Sequence, residues 1–404
     1  MSDDTGSVEE IVRAALKIDD PVERAEFIRA AGDGDAALLR RVERLLRENQ
    51  SEFETLGEDD TTLGEWFRRH ETPSPGFHTA TTLHDDDEDA PGGAYHDGDQ
   101  IGRYRLLQQI GEGGFGAVFM AEQSQPVKRR VALKVIKLGM DTRQIVARFE
   151  AERQALALMD HPNIAKVLDA GTTESGRPYF VMELIRGIRI TKFCDEAELS
   201  VEERLELFLR ICSAIQHAHQ KGVIHRDIKP SNVLVTEADG AAIPMVIDFG
   251  IAKAIGEDLT DKTVFTRFEQ FLGTPAYTSP EQAGMSGVDI DTRSDIYTLG
   301  VLLYELLAGE PPFDHEALMS DGFESMRRTI KEIEPARPST RLKSSKNERL
   351  NTLARQRQTN APHLVTQLKG DLDWIVMKAM EKDRSRRYET ANGLAMDVRR
   401  YLAN

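Results

Sequence analysis

The chain has 404 residues, 40% hydrophobic and 30% charged, with two cysteines and a net charge of −16. That size is ample for a core and predicts more than one domain, while two cysteines exclude a disulfide framework or a cysteine-built zinc site. The first 100 residues carry 26 acidic against 10 basic side chains and the remainder balances at 42 of each, so no basic stripe faces phosphates and nucleic-acid binding is disfavoured.

The acidic start, MSDDTGSVEE, is unlike a secretory signal. Residues 1–50 are expected to form a small helical module. Ser7 with Glu10, and Asp20 with Glu23 behind Pro21, have capping-box spacing, and Leu38, Val42 and Leu45 recur at helical period. Residues 51–100, with the acid run Asp85–Asp89, read as an acidic, disordered linker. From residue 101 the texture changes to strands: YRLLQQIG and AVFMAEQ around a GEGG turn, RRVALKVIKL, IAKVLDAGTT and PYFVMEL. Beyond 200 the chain reads as helical, apart from short strands expected near 223–225, 233–235 and 245–248. The expected class is therefore α+β, a β-rich lobe (101–182) and an α-rich lobe (186–402) with a cleft between them. The most apolar stretch, LGVLLYELLAG, is interrupted by Glu305 and too short to span a bilayer. A protein of a reducing, cytoplasmic compartment is expected.

Three stretches carry chemistry. In IGEGGFGAV, Gly111, Gly113 and Gly116 would let backbone N–H groups approach phosphates. A dinucleotide-binding turn should open a helix, but AVFMAEQ continues as a strand. Lys134 follows on the next strand. The next helix places Glu152 in the apolar stripe Ile145, Phe149, Leu156, Met159, where a carboxylate needs a partner, and Lys134 is the natural candidate. HRDIKPSN, 225–232, follows a helix that starts in a Ser200–Glu203 capping box and stops at Gly222. There Asp227 is placed to accept a hydroxyl proton, Lys229 to neutralise a phosphate, and Asn232 with Asp248 of IDFG to offer oxygens to magnesium.

In order and spacing these motifs resemble a eukaryotic-like (Hanks-type) serine/threonine protein kinase over residues 101–402. SPE (279–281) stands where the family usually has APE, and the SDIYTLG stretch resembles the family's helix F, which implies that Asp295 is its buried aspartate. Arg387 lies where the partner of Glu281 is usual. The resemblance implies a bilobal kinase fold and ATP with Mg²⁺, or Mn²⁺ in its place, as cofactors. Gly113, Gly114 and Gly116 would then cover the nucleotide phosphates, with Ile110 and Gly111 also in contact with the nucleotide. Lys134, paired with Glu152, would hold the α- and β-phosphates. Val118, Ala132 and Leu234 would sandwich adenine, Met182 would be the gatekeeper, and Glu183 and Ile185 would give backbone contacts. Asp227 would be the base, Lys229 the γ-phosphate contact, and Asn232 and Asp248 the metal ligands. Arg226 implies control by a loop phosphate, with Thr263 or Thr266 phosphorylated in trans by a self-associated copy, and proteins as substrates. A kinase-shaped scaffold without activity would have lost Lys134, Asp227 or Asp248, and all three are present. The lysine of DIKPSN is the serine/threonine-type signature. The 7–48 unit and the long segment 332–380 resemble planctomycete-type kinases, with basic RLKSSKNER placed to dock an acidic substrate or the acidic linker.

Overall fold

The computed structural model describes residues 95–113, 116–136, 159–249, 275–284, 290–320 and 322–404, with Phe27 as a single helical residue upstream. The expected helical module, most of the linker, Gly114, Glu152, Thr263 and Thr266 lie outside those residues. The chain divides into two units, Met1–Glu88 and Asp89–Asn404, and the elements from β1 onward all belong to the second.

The first layer of that unit is a six-stranded antiparallel sheet in the order β1-β2-β3-β4-β6-β5. The strands are β1 (Gln100–Ile101), β2 (Tyr104–Gly113), β3 (Gly116–Gln123), β4 (Arg129–Ile136), β5 (Val167–Thr172) and β6 (Pro178–Glu183). Alternation decides the faces. Val131, Leu133 and Val135 of β4 are buried in one cluster with Phe119, Ala121 and Val181, which turns Ala132 and Lys134 to the opposite face. The register pairs Val118 with Lys134 and Ala132 with Met182. Register shifts in β2 on either side of Gln108–Gln109 bend the strand before the glycine hairpin and leave Ile110 exposed.

Residues 95–99, assigned by composition to the linker, pack on this sheet. Arg177 lies over the Tyr95 ring, the Gly98 N–H donates to the Leu106 carbonyl, and the Leu106 N–H donates to the Asp99 carbonyl. The folded body thus starts before residue 101, because one aromatic ring and a glycine turn suffice to anchor a polar segment.

After the connection 184–187 come β7 (Ile188–Arg189), α1 (Ile190–Glu196) and α2 (Val201–Gln220). The α2 capping box is present in full: Ser200 Oγ accepts from the Glu203 N–H, and Glu203 Oε2 accepts from the Ser200 N–H. The helix stops at Gly222, φ +77°. A second sheet, β7-β8-β9, is completed by β8 (Val233–Ala238) and β9 (Ala241–Val246). The strand expected at 223–225 is not there. Its His225 N–H goes to the Asp295 carboxylate, not to a neighbouring strand.

Then follow α3 (Pro280–Ala283), α4 (Thr292–Ala308), α5 (His315–Ser320), α6 (Phe323–Glu332), α7 (Pro338–Ser344), α8 (Asn347–Arg355), α9 (Ala361–Leu368), α10 (Asp371–Ala379) and α11 (Ala391–Ala403). Helix α4 is buried from Ser294 to Ala308 except at Glu305, the signature of a helix apolar on every side. The long segment after residue 332 is folded onto this core, not looped out. Ser339 gives its N–H and hydroxyl to Asp373 (2.9 and 2.5 Å). Buried Arg204 and Arg357 both donate to the Leu306 carbonyl at the end of α4, which satisfies acceptors the last helical turn leaves open.

Candidate active site

The polar octet HRDIKPSN is held between α2 and β8 by one carboxylate. Asp295, fully buried in α4, accepts the N–H groups of His225 (2.7 Å) and Arg226 (2.8 Å) and a bond from His219 Nε2 (2.8 Å). Burial pushes its carboxyl up, but the His219 hydrogen bond and the neighbouring imidazoles outweigh that and hold it below the usual range. The double N–H clamp keeps Arg226 at φ +63°, a left-handed conformation costing about 1–2 kcal/mol for a side chain with a Cβ.

His225 sets the geometry from beneath. Its Nδ1 accepts the Asp227 N–H (3.3 Å) and its Nε2 lies 3.2 Å from the Ile247 carbonyl. Together these fit one neutral tautomer, protonated on Nε2, and burial lowers the imidazole pKa accordingly. The ring packs on Phe249 at 4.5 Å between centroids. One buried histidine therefore links the Asp227 segment to the Asp248 segment.

Asp227 Oδ2 receives Lys229 Nζ (2.9 Å) and Asn232 Nδ2 (3.0 Å), and Asn232 Nδ2 also reaches the Asp227 carbonyl (2.8 Å). With its nitrogen so committed, Asn232 turns its side-chain oxygen elsewhere, where the Ser231 hydroxyl donates to it at 3.5 Å. The Ile247 N–H donates to the Asn232 carbonyl (2.9 Å), which brings Asp248 beside Asn232. Asp248 too is left-handed, φ +58°, and its Oδ1 closes on Lys134 Nζ across the cleft. An amide oxygen and a carboxylate are hard donors suited to magnesium, which prefers few protein ligands and takes its remaining oxygens from phosphate and water. Among the described residues no group of three or more His, Cys, Asp or Glu side chains could hold a metal by itself.

The roof is the β2–β3 hairpin. A Cβ on Gly116 would sit 2.1 Å from the Val135 carbonyl oxygen, whereas one on Gly111 would meet only Val118 at 3.8 Å. Gly116 is thus required for strand packing, and Gly111 leaves room above the cleft. Val118 and Ala132 share the Lys134 face, and Leu234 lies on β8 opposite Met245. The Glu183 N–H is taken by the Lys166 carbonyl (2.9 Å), which leaves Glu183 only its carbonyl for a ligand. Ile185 is half-buried in the connection.

Below the site, Glu281 forms a two-pronged ion pair with Arg387 (2.7 and 2.8 Å) and accepts from Ser294 Oγ (2.7 Å). Burial raises the Glu281 carboxyl, but the Arg387 hydrogen bonds and charge bring it below normal. Ser279, in the SPE departure, caps α3 in a box with Gln282, whose amide donates to the Arg226 carbonyl (2.9 Å).

Residues 104–397 match the protein kinase domain family. The chain belongs to that family. Among its relatives, the kinase domain is similar to the probable serine/threonine-protein kinase PknB of Lactococcus lactis (38% identical, 57% of this chain and 35% of that protein). It is also similar to the serine/threonine-protein kinase PknB of Mycobacterium leprae (33%, 73% and 42%) and to PrkC of Bacillus subtilis (35%, 74% and 40%). The chain spans about two fifths or less of the length of these curated relatives. The solved PknI kinase domain of Mycobacterium tuberculosis shares the fold at a TM-score of 0.54, with 24% identity, over 76% of this chain and 99% of that one.

In the kinase domain the structure brings Lys134, Asp227, Lys229, Asn232 and Asp248 to one cleft. The ion pair it shows for Lys134 is with Asp248; the expected partner Glu152 lies outside the described residues. Two contacts have no counterpart among the sequence-based expectations: Gln282 gripping Arg226, and the Tyr277 hydroxyl donating to half-buried Glu305. The first had a legible signal in the S-P-E-Q capping box. The second had none, since the two residues lie 28 positions apart.

Proposed function

We propose that this chain is an ATP-dependent serine/threonine protein kinase of bacterial signalling, using Mg²⁺ and acting in the cytoplasm on protein hydroxyls. The observation that carries it is the connected set Lys134–Asp248 and Asp227–Lys229–Asn232, tied together through His225. In the proposed reaction the acceptor oxygen attacks the γ-phosphorus as its proton passes to the Asp227 carboxylate, and the bond to the β,γ-bridging oxygen breaks. Lys229 neutralises the transferred group, and Lys134 exchanges Asp248 for the α- and β-phosphates when nucleotide enters. A bound Mg²⁺, held by Asn232 and Asp248, would supply charge neutralisation at the phosphates. Such a transfer needs positioning and charge compensation more than covalent help.

The glycines 111, 113, 114 and 116 are proposed to cover the phosphates, with Ile110, Val118, Ala132, Glu183, Ile185 and Leu234 around the base. Pairing of Glu152 with Lys134 in the nucleotide-bound state, and phosphorylation of Thr263 or Thr266 in trans to engage Arg226, extend the same reading. The planctomycete-type organisation, with 1–50 as a helical module and 51–94 as a linker, is proposed alongside it.

The test is phosphotransfer from ATP/Mg²⁺ to a generic basic protein, comparing wild type with Asp227→Ala and Lys134→Ala. Loss of transfer in both variants is the expected result. Equal activity in all three refutes the assignment, and mass spectrometry of the active enzyme locates the loop phosphate.

A further inference from the structure

Beyond residue 100 the chain is electrically balanced, yet residues 335–370 hold eight basic side chains against one acidic, Glu348. Much of that charge is already answered. Arg357 is buried among carbonyls, Arg341 and Arg349 both close on Glu310, and Arg355 approaches Glu198 at 3.6 Å. Lys369 stands apart, exposed at the end of α9, whereas Arg337, Lys343 and Lys346 cluster at one corner. All three are exposed and none makes an ion pair among the described residues.

These three cations stand on a fixed platform at the α7–α8 corner. Leu342 is fully buried beneath it, Ser339 is bonded to Asp373, and the Lys346 carbonyl accepts the Leu350 N–H at the start of α8. Helix α8 carries the charge along: Asn347, Asn351 and Arg355 recur every fourth residue on one exposed stripe. Asn351 and Arg355 line a shallow cleft with Glu198, Thr359 and Asn360, one wall of which is held by Gln358 donating to the Glu198 carbonyl (2.8 Å).

We propose that this corner and cleft form a docking site for an extended acidic segment of a protein substrate, outside the catalytic cleft. The substrate part of this inference rests on the kinase reading; the binding part does not. The cations take carboxylates, while the exposed Asn351 amide and the half-buried Thr359 hydroxyl suit peptide groups. The composition favours a peptide over a duplex or a membrane. Three exposed cations, interleaved with neutral Ser344, Ser345 and Asn347 and flanked by Glu348 and Glu198, match a short acidic run. A duplex presents a charge every ~1.7 Å, and a bilayer presents a plane, not a strand that enters a cleft. Docking remote from Asp227 raises local substrate concentration, so it acts on KM and leaves kcat alone.

The full chain is assayed with a serine/threonine peptide, with and without an appended Asp/Glu tail. The tail is expected to lower KM by about fivefold, from two or three exposed ion pairs, and the gain should shrink between ~50 and ~200 mM salt. Lys343→Glu with Lys346→Glu should erase the gain, with untailed activity unchanged; Lys192→Glu, on α1, should not. In parallel, fluorescence anisotropy with a labelled Asp/Glu peptide, a duplex oligonucleotide and phosphatidylserine vesicles measures binding without catalysis. A tail without effect on KM, a gain that survives the double reversal, or tighter binding of the oligonucleotide or vesicles than of the peptide would overturn the docking site. Loss of all transfer with peptide binding intact would instead sink the kinase reading and leave the site standing.

Discussion

Replacing Glu305 by glutamine tests how the end of α4 senses pH. Glu305 is the one residue between Ser294 and Ala308 that is not fully enclosed, yet burial, with a lesser push from Asp195, raises its carboxyl from 4.5 to about 7. A folded-state value above the unfolded one means that the folded protein holds the proton more tightly. Below pH 4.5 the group is protonated in both states and contributes nothing to the pH dependence. Between 4.5 and about 7 the unfolded chain releases its proton and the folded one does not, so stability falls as pH rises. Above 7 the loss is complete and the curve is flat again. The interval, at about 1.4 kcal/mol per pH unit, corresponds to about 3 kcal/mol. The Tyr277 hydroxyl, donating to Oε2, favours the ionised form and makes that figure a ceiling. Glutamine keeps the acceptor oxygen and cannot ionise. Urea unfolding of wild type and Glu305→Gln at pH 5, 6, 7 and 8 should therefore show the variant gaining on wild type up to pH 7 and by a constant margin beyond. Tyr277→Phe should move the wild-type transition to higher pH. Parallel stability curves for wild type and Glu305→Gln would refute the argument.

Contacts elsewhere set three further outcomes. Arg387→Ala strands the Glu281 carboxylate in a buried site and should cost about 3–5 kcal/mol in thermal denaturation; adding Glu281→Ala should recover part of it. Asp295→Asn removes an acceptor from the His225 and Arg226 N–H groups, each unsatisfied donor costing about 1–3 kcal/mol. Turnover should fall steeply while the thermal shift induced by ATP persists. Burial raises both thiols, Cys194 to about 11 and Cys212 further, so neither should react with a thiol probe at pH 8 until the protein unfolds.

Much of the site could be read from local pattern. Gly222 ends α2 where the sequence calls for a left-handed residue, and the Ser200–Glu203 box begins it. Lys134 lands on the cleft face because strand alternation leaves no other place for it between Leu133 and Val135. The failures share a different cause. Residues 223–225 look like a strand by composition, but their backbone is claimed by a side chain 70 positions away. The basic segment after 335 looks like an insertion, yet it folds back through Asp373 and the Leu306 carbonyl. Residues 95–99 look like linker until Arg177 covers Tyr95.

Periodicity, capping boxes and motif order are properties of neighbours in the chain, and they were enough to predict the two lobes, the glycine hairpin and the side chains Lys134, Asp227, Asn232 and Asp248 that the structure brings together. They act over one or two turns, where the energy of a hydrogen bond or an apolar stripe is decided by residues three or four apart. What only the tertiary structure decided is how those groups are aimed. Asp295 holding two N–H groups, His225 fixed in one tautomer between two loops, and Gln282 on the Arg226 carbonyl are contacts across 22 to 70 positions. Each is a buried polar group satisfied by a partner that the fold, and not the local sequence, brings within reach.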